Sequence, residues 1–235
     1  TVTVTATAVT AITGSASDLA SIYTSGVSGL GNETVTVSNA DVTAAHLNTI
    51  NAGTSVNVVA TAVTNITGSK TELATTYGGG MTGLGNETIT VSDANITSGE
   101  ANIIDAYTTG AVTATISTTA IADLDDLTGT GNAYTITVAT ADVTAAALKA
   151  VNDATTVNVT ATAVTNITGS KTDLASVYGG GITGLGNETI TVSDANITSG
   201  EANTIDGYTS GVVTATISTT AIADLDDLTG TGNAY

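Results

Sequence analysis

The side chains with most chemical potential in this sequence are carboxylates on turns. Asp123, Asp125 and Asp126 recur as Asp224, Asp226 and Asp227, and a Glu ahead of a β-like run recurs in Asn32-Glu33, Asn86-Glu87 and Asn187-Glu188. Hard oxygen ligands grouped on turns are what Ca²⁺ takes, so the six aspartates are the candidate metal ligands and Ca²⁺ the candidate ion. A Gly-rich calcium-binding nonapeptide and the EF-hand spacing are both absent. The competing reading is a solvated acidic face.

Other reactive groups are few. His46 is the only imidazole, and Ala147 stands at its place in the sister segment, so neither a metal triad nor a Ser-His pair can be built in the repeated frame. Lys70 and Lys171 share one position, which holds Ala16 in the first copy, and read as surface charge. The Tyr residues fall in three registers, Tyr23, Tyr77 and Tyr178, then Tyr107 and Tyr208, then Tyr134 and Tyr235, and read as packing groups rather than ligand platforms. Catalysis is not expected. Asn32, Asn65, Asn86, Asn95, Asn158, Asn166, Asn187 and Asn196 each begin Asn-x-Thr, a candidate glycosylation signal. Thr-x-Thr on many strands, for example Thr88 to Thr90 and Thr189 to Thr191, raises ice binding as a lesser reading.

Composition limits the partners and the core. With Lys plus Arg 3, Asp plus Glu 21 and a net charge of −18, nucleic acid and anionic membranes are excluded as partners, because both need a cationic surface. Cys, Pro, Trp and Phe are absent, so a core must be thin and built from Val, Ile, Leu and Ala. No apolar run approaches the roughly 20 residues of a membrane span. The chain opens inside a strand-like run, Thr1 to Thr5, and reads as a window from something longer.

Repetition decides the architecture. Ile66 to Tyr134 and Ile167 to Tyr235 are 69-residue copies, offset by 101 positions and differing at eight. Inside them, period-two runs beginning at Val2, Thr34, Val56, Thr88, Val112, Thr135, Val157, Thr189 and Val213 predict strands. After several of these come an apolar anchor and two further apolar residues at helical spacing: Val42, Leu47 and Ile50; Ile96, Ala101 and Ile104; Val143, Leu148 and Val151; Ile197, Ala202 and Ile205. Ser69 to Glu72, Thr97 to Glu100, Ser170 to Asp173 and Thr198 to Glu201 match or approximate a capping box. Gly78 to Gly80 and Gly129 to Gly131 end the helices.

A strand, a short helix and a turn cannot bury an apolar face alone, and stacking such coils solves the problem. The expectation is an α/β solenoid segment with coils near 1–33, 34–54, 55–87, 88–110, 111–134, 135–156, 157–188, 189–211 and 212–235. The alternative is a helix-free right-handed parallel β-helix. The run from Ile89 to Ile96 also resembles the strand half of a leucine-rich repeat, with Ala94 where that family buries Asn.

The wording "TGLGNETITVSDANITSGEANTIDGYTSG" and "TGTGNAYTITVATADVTAAALKAVND" resembles the large Thr- and Asp-rich tandem-repeat proteins of marine unicellular cyanobacteria. The resemblance implies a secreted, cell-surface location and a structural or adhesive role, and carries over no catalytic residue. The expected function is therefore a filament, rod or surface layer built by self-association. An adhesin, or a calcium-dependent binder of surface polysaccharide, ice or other cells, is the alternative.

Overall fold

The computed structural model describes residues 4–218 and 221–235, and within it the chain forms two compact units. The start of the expected first strand, Thr1 to Thr3 with Val2, lies outside the described residues.

The first unit comprises residues 1–96 and 100–115. In chain order it carries β1 (Ala11–Gly14), α1 (Ala16–Thr24), β2 (Thr34–Val37), β3 (Asp41–Thr43), α2 (Ala44–Gly53), β4 (Asn65–Gly68), α3 (Lys70–Gly78), β5 (Thr88–Val91), α4 (Ser98–Asp105, its first two residues outside this unit) and β6 (Val112–Thr115). Strand β1 pairs with β2, and β3, β4, β5 and β6 form a sheet in that order, every pair parallel.

The second unit comprises residues 97–99 and 116–235. It holds α5 (Ile121–Leu124), β7 (Ala133–Thr135), β8 (Asp142–Thr144), α6 (Ala145–Asp153), β9 (Val159–Thr160), β10 (Asn166–Gly169), α7 (Lys171–Gly179), β11 (Ile182–Thr183), β12 (Thr189–Val192), α8 (Ser199–Asp206), β13 (Val213–Thr214) and α9 (Ile222–Leu225). Its sheets are β8-β10-β12-β13 and β9-β11, again parallel.

Register gives the spacing of the paired strands. Asp41 sits opposite Asn65 and Asn65 opposite Thr88, so paired residues lie 24 and then 23 positions apart, and the second unit repeats this with Asp142, Asn166 and Thr189. Parallel neighbours need a crossover, and here each crossover holds a helix, so the helix-free β-helix is set aside. Helix α1 packs on α2, α2 on α3, α5 on α6, and α6 on α7.

The expected helix anchors hold. Val42, Leu47, Ile50, Ile96, Ala101, Ile104 and their counterparts Val143, Leu148, Val151, Ile197, Ala202 and Ile205 are all buried. Strand placement differs from the expectation around Val56 and Val157. Val56 is in no strand, and the chain there touches its neighbours through single bridges from Val59 to Thr36 and Thr82. The longer strands are instead Asn65–Gly68 and Asn166–Gly169. Thr135 ends β7 rather than beginning a strand, and Ala94 is exposed, so it does not take the buried-Asn position of a leucine-rich repeat.

Capping explains where the helices start. Ser69 and Glu72 close a full capping box, as do Thr198 and Glu201. Asp173, one methylene shorter than Glu72, takes a hydrogen bond from the Ser170 hydroxyl (2.7 Å) and the box stays half-formed. A second cap comes from just beyond the end of the following strand. Asp93 accepts from the Lys70 N–H (2.6 Å), Asp194 from the Lys171 N–H (2.7 Å), and Asn39 from the Ala16 N–H (2.8 Å). Each satisfies a first-turn donor that its own helix leaves orphaned, with a carboxylate or amide suited to the positive end of the dipole. Asp194→Ala should therefore cost about 1 kcal/mol in urea unfolding, a larger loss than Asp18→Ala, whose carboxylate meets only the Ser15 hydroxyl of its own cap.

Candidate functional site

The expected metal ligands do not assemble. Asp123 and Asp224 lie on the one-turn helices α5 and α9, with Asp125, Asp126, Asp226 and Asp227 just beyond. Among the described residues no group of three or more His, Asp or Glu side chains is placed to hold an ion. Nor do Glu33, Glu87 and Glu188 stand on open turns: all three are buried.

These glutamates form the most specialised polar site in the structure. Glu87 accepts from the Tyr77 hydroxyl (2.8 Å) and from the Gly85 N–H at both carboxylate oxygens (2.9 Å each). Glu188 makes the same bonds to Tyr178 (2.8 Å) and Gly186 (2.9 and 2.8 Å). Glu33 accepts from the Tyr23 hydroxyl and from the backbone of Gly31 (2.6 Å) and Asn32 (3.0 Å). The tyrosine comes from the last turn of a helix and the glutamate, ten residues later, stands immediately before the next strand, so the cluster pins the chain's return to the sheet. Gly85 is left-handed at φ 125°, which aims its N–H back at the carboxylate. A residue 21 positions further on adds a clasp: Thr54, Thr108 and Thr209 donate to the carbonyls of Glu33 (2.9 Å), Glu87 (2.5 Å) and Glu188 (2.6 Å). Thr155 makes the same bond to Tyr134 (2.7 Å), which therefore occupies the glutamate's register in a coil whose helix is one turn long.

Burial raises the Tyr23, Tyr77 and Tyr178 hydroxyls above the usual tyrosine range, and the adjoining carboxylates add to the rise. Burial alone would raise Glu33 as well, but the bonds from Tyr23, Gly31 and Asn32 outweigh it and hold its carboxyl low. A raised tyrosine contributes stability in full below its unfolded value, and the contribution is lost as pH climbs beyond about 10. A lowered carboxyl contributes above its unfolded value, near 4, and the contribution is lost as pH falls through the folded one. The urea midpoint should thus fall on both flanks, and tyrosinate absorbance should rise together with unfolding; ionisation of Tyr23, Tyr77 and Tyr178 near pH 10 in a still-folded chain contradicts it.

The second ring register packs against the first. Tyr107 stacks on Tyr77 and Tyr208 on Tyr178, each with centroids 4.9 Å apart. Tyr107 and Tyr208 also line matching clefts, one with Lys70, Ala74, Glu100 and Ile104 and the other with Lys171, Ala175, Glu201 and Ile205. Lys70 pairs with Glu100 and Lys171 with Glu201 across the two helices, so the lysines are partnered surface charges.

His46 lines a cleft of about 340 Å³ with Ser17, Asn39, Asp41 and Thr67. No hydrogen bond joins its imidazole to Ser17 or Asp41 among the described residues. Its backbone N–H donates to Thr43 exactly as Ala147 does to Thr144 (3.2 Å each), so the helix start does not need the ring.

Outward-facing residues form in-register columns. Thr43, Thr67, Thr90 and Thr113 stack in the first unit and Thr144, Thr168, Thr191 and Thr214 in the second, all exposed. Beside them Asn65 donates to Asp41 and accepts from Thr88, and Asn166 does the same with Asp142 and Thr189. These polar groups satisfy one another along the column. All eight Asn-x-Thr asparagines are exposed, but the amides of Asn65 and Asn166 are already engaged in this ladder.

No helix among the described residues is long and apolar enough to cross a membrane. No family model, curated protein or solved structure matches the chain.

Proposed function

We propose that this chain is a structural repeat protein acting outside the cell, an α/β solenoid segment of about nine coils that assembles into a rod, filament or surface layer. The observation that carries this reading is mutual completion. Helix starts are capped from just beyond the following strand, as at Lys70 with Asp93, and carbonyls at the entry to a strand are clasped by the next coil, as at Glu87 with Thr108. Its most elaborate polar cluster, around Glu87, spends a buried carboxylate on holding the backbone rather than presenting it to a substrate. The extracellular setting comes from the resemblance to cyanobacterial surface repeats and agrees with the net charge of −18.

Electron microscopy and fibre diffraction of concentrated protein test the proposal. Rods or sheets should appear, with a reflection near 4.8 Å along the stacking direction from parallel strands. Discrete particles of one size at every concentration would refute assembly.

A further inference from the structure

A lysine, a glutamate and a second tyrosine occur in this chain as a set. The stretch holding α3 and α4 repeats the one holding α1 and α2 at an offset of 54 positions, as Tyr23 with Tyr77 and Glu33 with Glu87 show. At that offset Lys70, Glu100 and Tyr107 answer to Ala16, His46 and Gly53, and the trio recurs 101 positions on as Lys171, Glu201 and Tyr208. It is complete twice and wholly missing once.

The fold does not require the trio. Helix α1 starts on its Ser15 cap without a lysine. Tyr23 still donates to Glu33 where no second ring exists, and Gly53 lies so close that a Cβ there would come within 2.3 Å of the Tyr23 ring.

What the trio adds is a cleft in each unit. Tyr107 stacks on Tyr77 and lines a cleft of about 290 Å³, and Tyr208 stacks on Tyr178 and lines one of about 530 Å³. Ala74 and Ile104, or Ala175 and Ile205, give each cleft an apolar wall, and the ion pair of Lys70 with Glu100, or Lys171 with Glu201, lines it too. The four charged side chains are between 32% and 43% exposed. An ammonium carries three donors and a carboxylate about four acceptor sites, so each pair can exchange hydrogen bonds with a ligand without separating.

A ring beside aliphatic carbon, with a donor and an acceptor within reach, matches the chemistry of a pyranose. The C–H face of such a sugar lies on the aromatic ring, and its hydroxyls, each donor and acceptor at once, bond ammonium and carboxylate together. A net charge of −18 repels a polyanionic glycan, which selects an uncharged one. Two copies of a site on one chain gain avidity from a ligand that itself repeats, because the second engagement is intramolecular. A monomeric solute offers no such gain.

We infer that the clefts at Tyr107 and Tyr208 each bind a pyranose segment of an uncharged polysaccharide. The inference goes beyond the assembly reading and does not depend on it.

The test is calorimetric titration of the whole chain with cellohexaose, mannohexaose and chitohexaose, beside hexagalacturonate and phenylalanine as anionic and zwitterionic comparisons. At least one neutral hexasaccharide should bind at two sites per chain, with none at α1 and α2, which lack the trio. Because the chain has no Trp, tyrosine fluorescence should change on binding. Tyr208→Ala should leave one site, Tyr107→Ala combined with it none, and Tyr208→Phe, which keeps the ring, should retain both. Lys171→Ala with Glu201→Gln alters only partly exposed groups and should weaken the second site about tenfold, with circular dichroism unchanged. The inference is overturned by the absence of neutral-sugar binding at millimolar concentration, by binding that survives loss of both rings in a folded chain, or by binding of phenylalanine or hexagalacturonate alone. A chain that binds sugar at both clefts yet never forms rods or sheets refutes the assembly and leaves this inference standing.

Discussion

Glu87→Ala should lower stability by about 3–5 kcal/mol, a loss large enough to unravel the coil it closes. The change strands the Tyr77 hydroxyl and the Gly85 N–H, which both donate to the carboxylate inside the protein. It also leaves a void the size of the removed side chain. Glu87→Gln should cost less, because one oxygen still accepts from Tyr77, although its NH₂ group then confronts Gly85. Tyr77→Phe should cost roughly 1.5–3 kcal/mol, the worth of one hydrogen bond to a charged acceptor, and should leave the ring stacked on Tyr107. Urea titrations followed by circular dichroism rank the three. Glu87→Ala behaving like an exposed-site substitution would contradict the closed cluster.

Gly110→Ala should be nearly as damaging, by several kcal/mol, for a different reason. A Cβ at Gly110 would lie 2.3 Å from the Glu87 carbonyl oxygen and 2.7 Å from its carbonyl carbon, atoms of the adjacent coil's backbone that cannot swing aside. The Gly110 N–H is also held by the Thr108 hydroxyl (2.9 Å), which clasps that carbonyl. Overpacking of this kind forces the backbone itself to move. Gly78→Ala, where nothing lies within 4 Å of the added carbon, should be neutral or slightly stabilising as a helical residue. Equal melting temperatures for the two would remove the argument for close approach.

How legible this was in the sequence varied with the physics. The helix faces were plain, because anchors such as Val42, Leu47 and Ile50 repeat at fixed spacing and are all buried. Strands at Asn65–Gly68 and Asn166–Gly169 were hidden, since Asn and Gly lower strand propensity, and here they serve tertiary ends. Asn65 bonds its strand neighbours, and Gly68 lies against Ala44 of the preceding coil, where a Cβ would come within 2.6 Å of the Ala44 methyl. The buried glutamates read in the sequence as open turn carboxylates, Ca²⁺ ligands or a solvated acidic face, because ionisable residues rarely go inside unpaired. Their signal was present: a tyrosine stands ten residues before Glu33, Glu87 and Glu188 alike. The Asp123 and Asp224 triplets show the reverse, a repeated acidic cluster with no convergence in space.

The caps supplied from beyond the following strand make each helix start depend on chain that comes later in the sequence. Asp93 is made 23 residues after the Lys70 N–H it satisfies, and Asp194 likewise after Lys171. Each of these helix starts therefore keeps an orphaned first-turn donor until the segment 23 residues onward is folded against it.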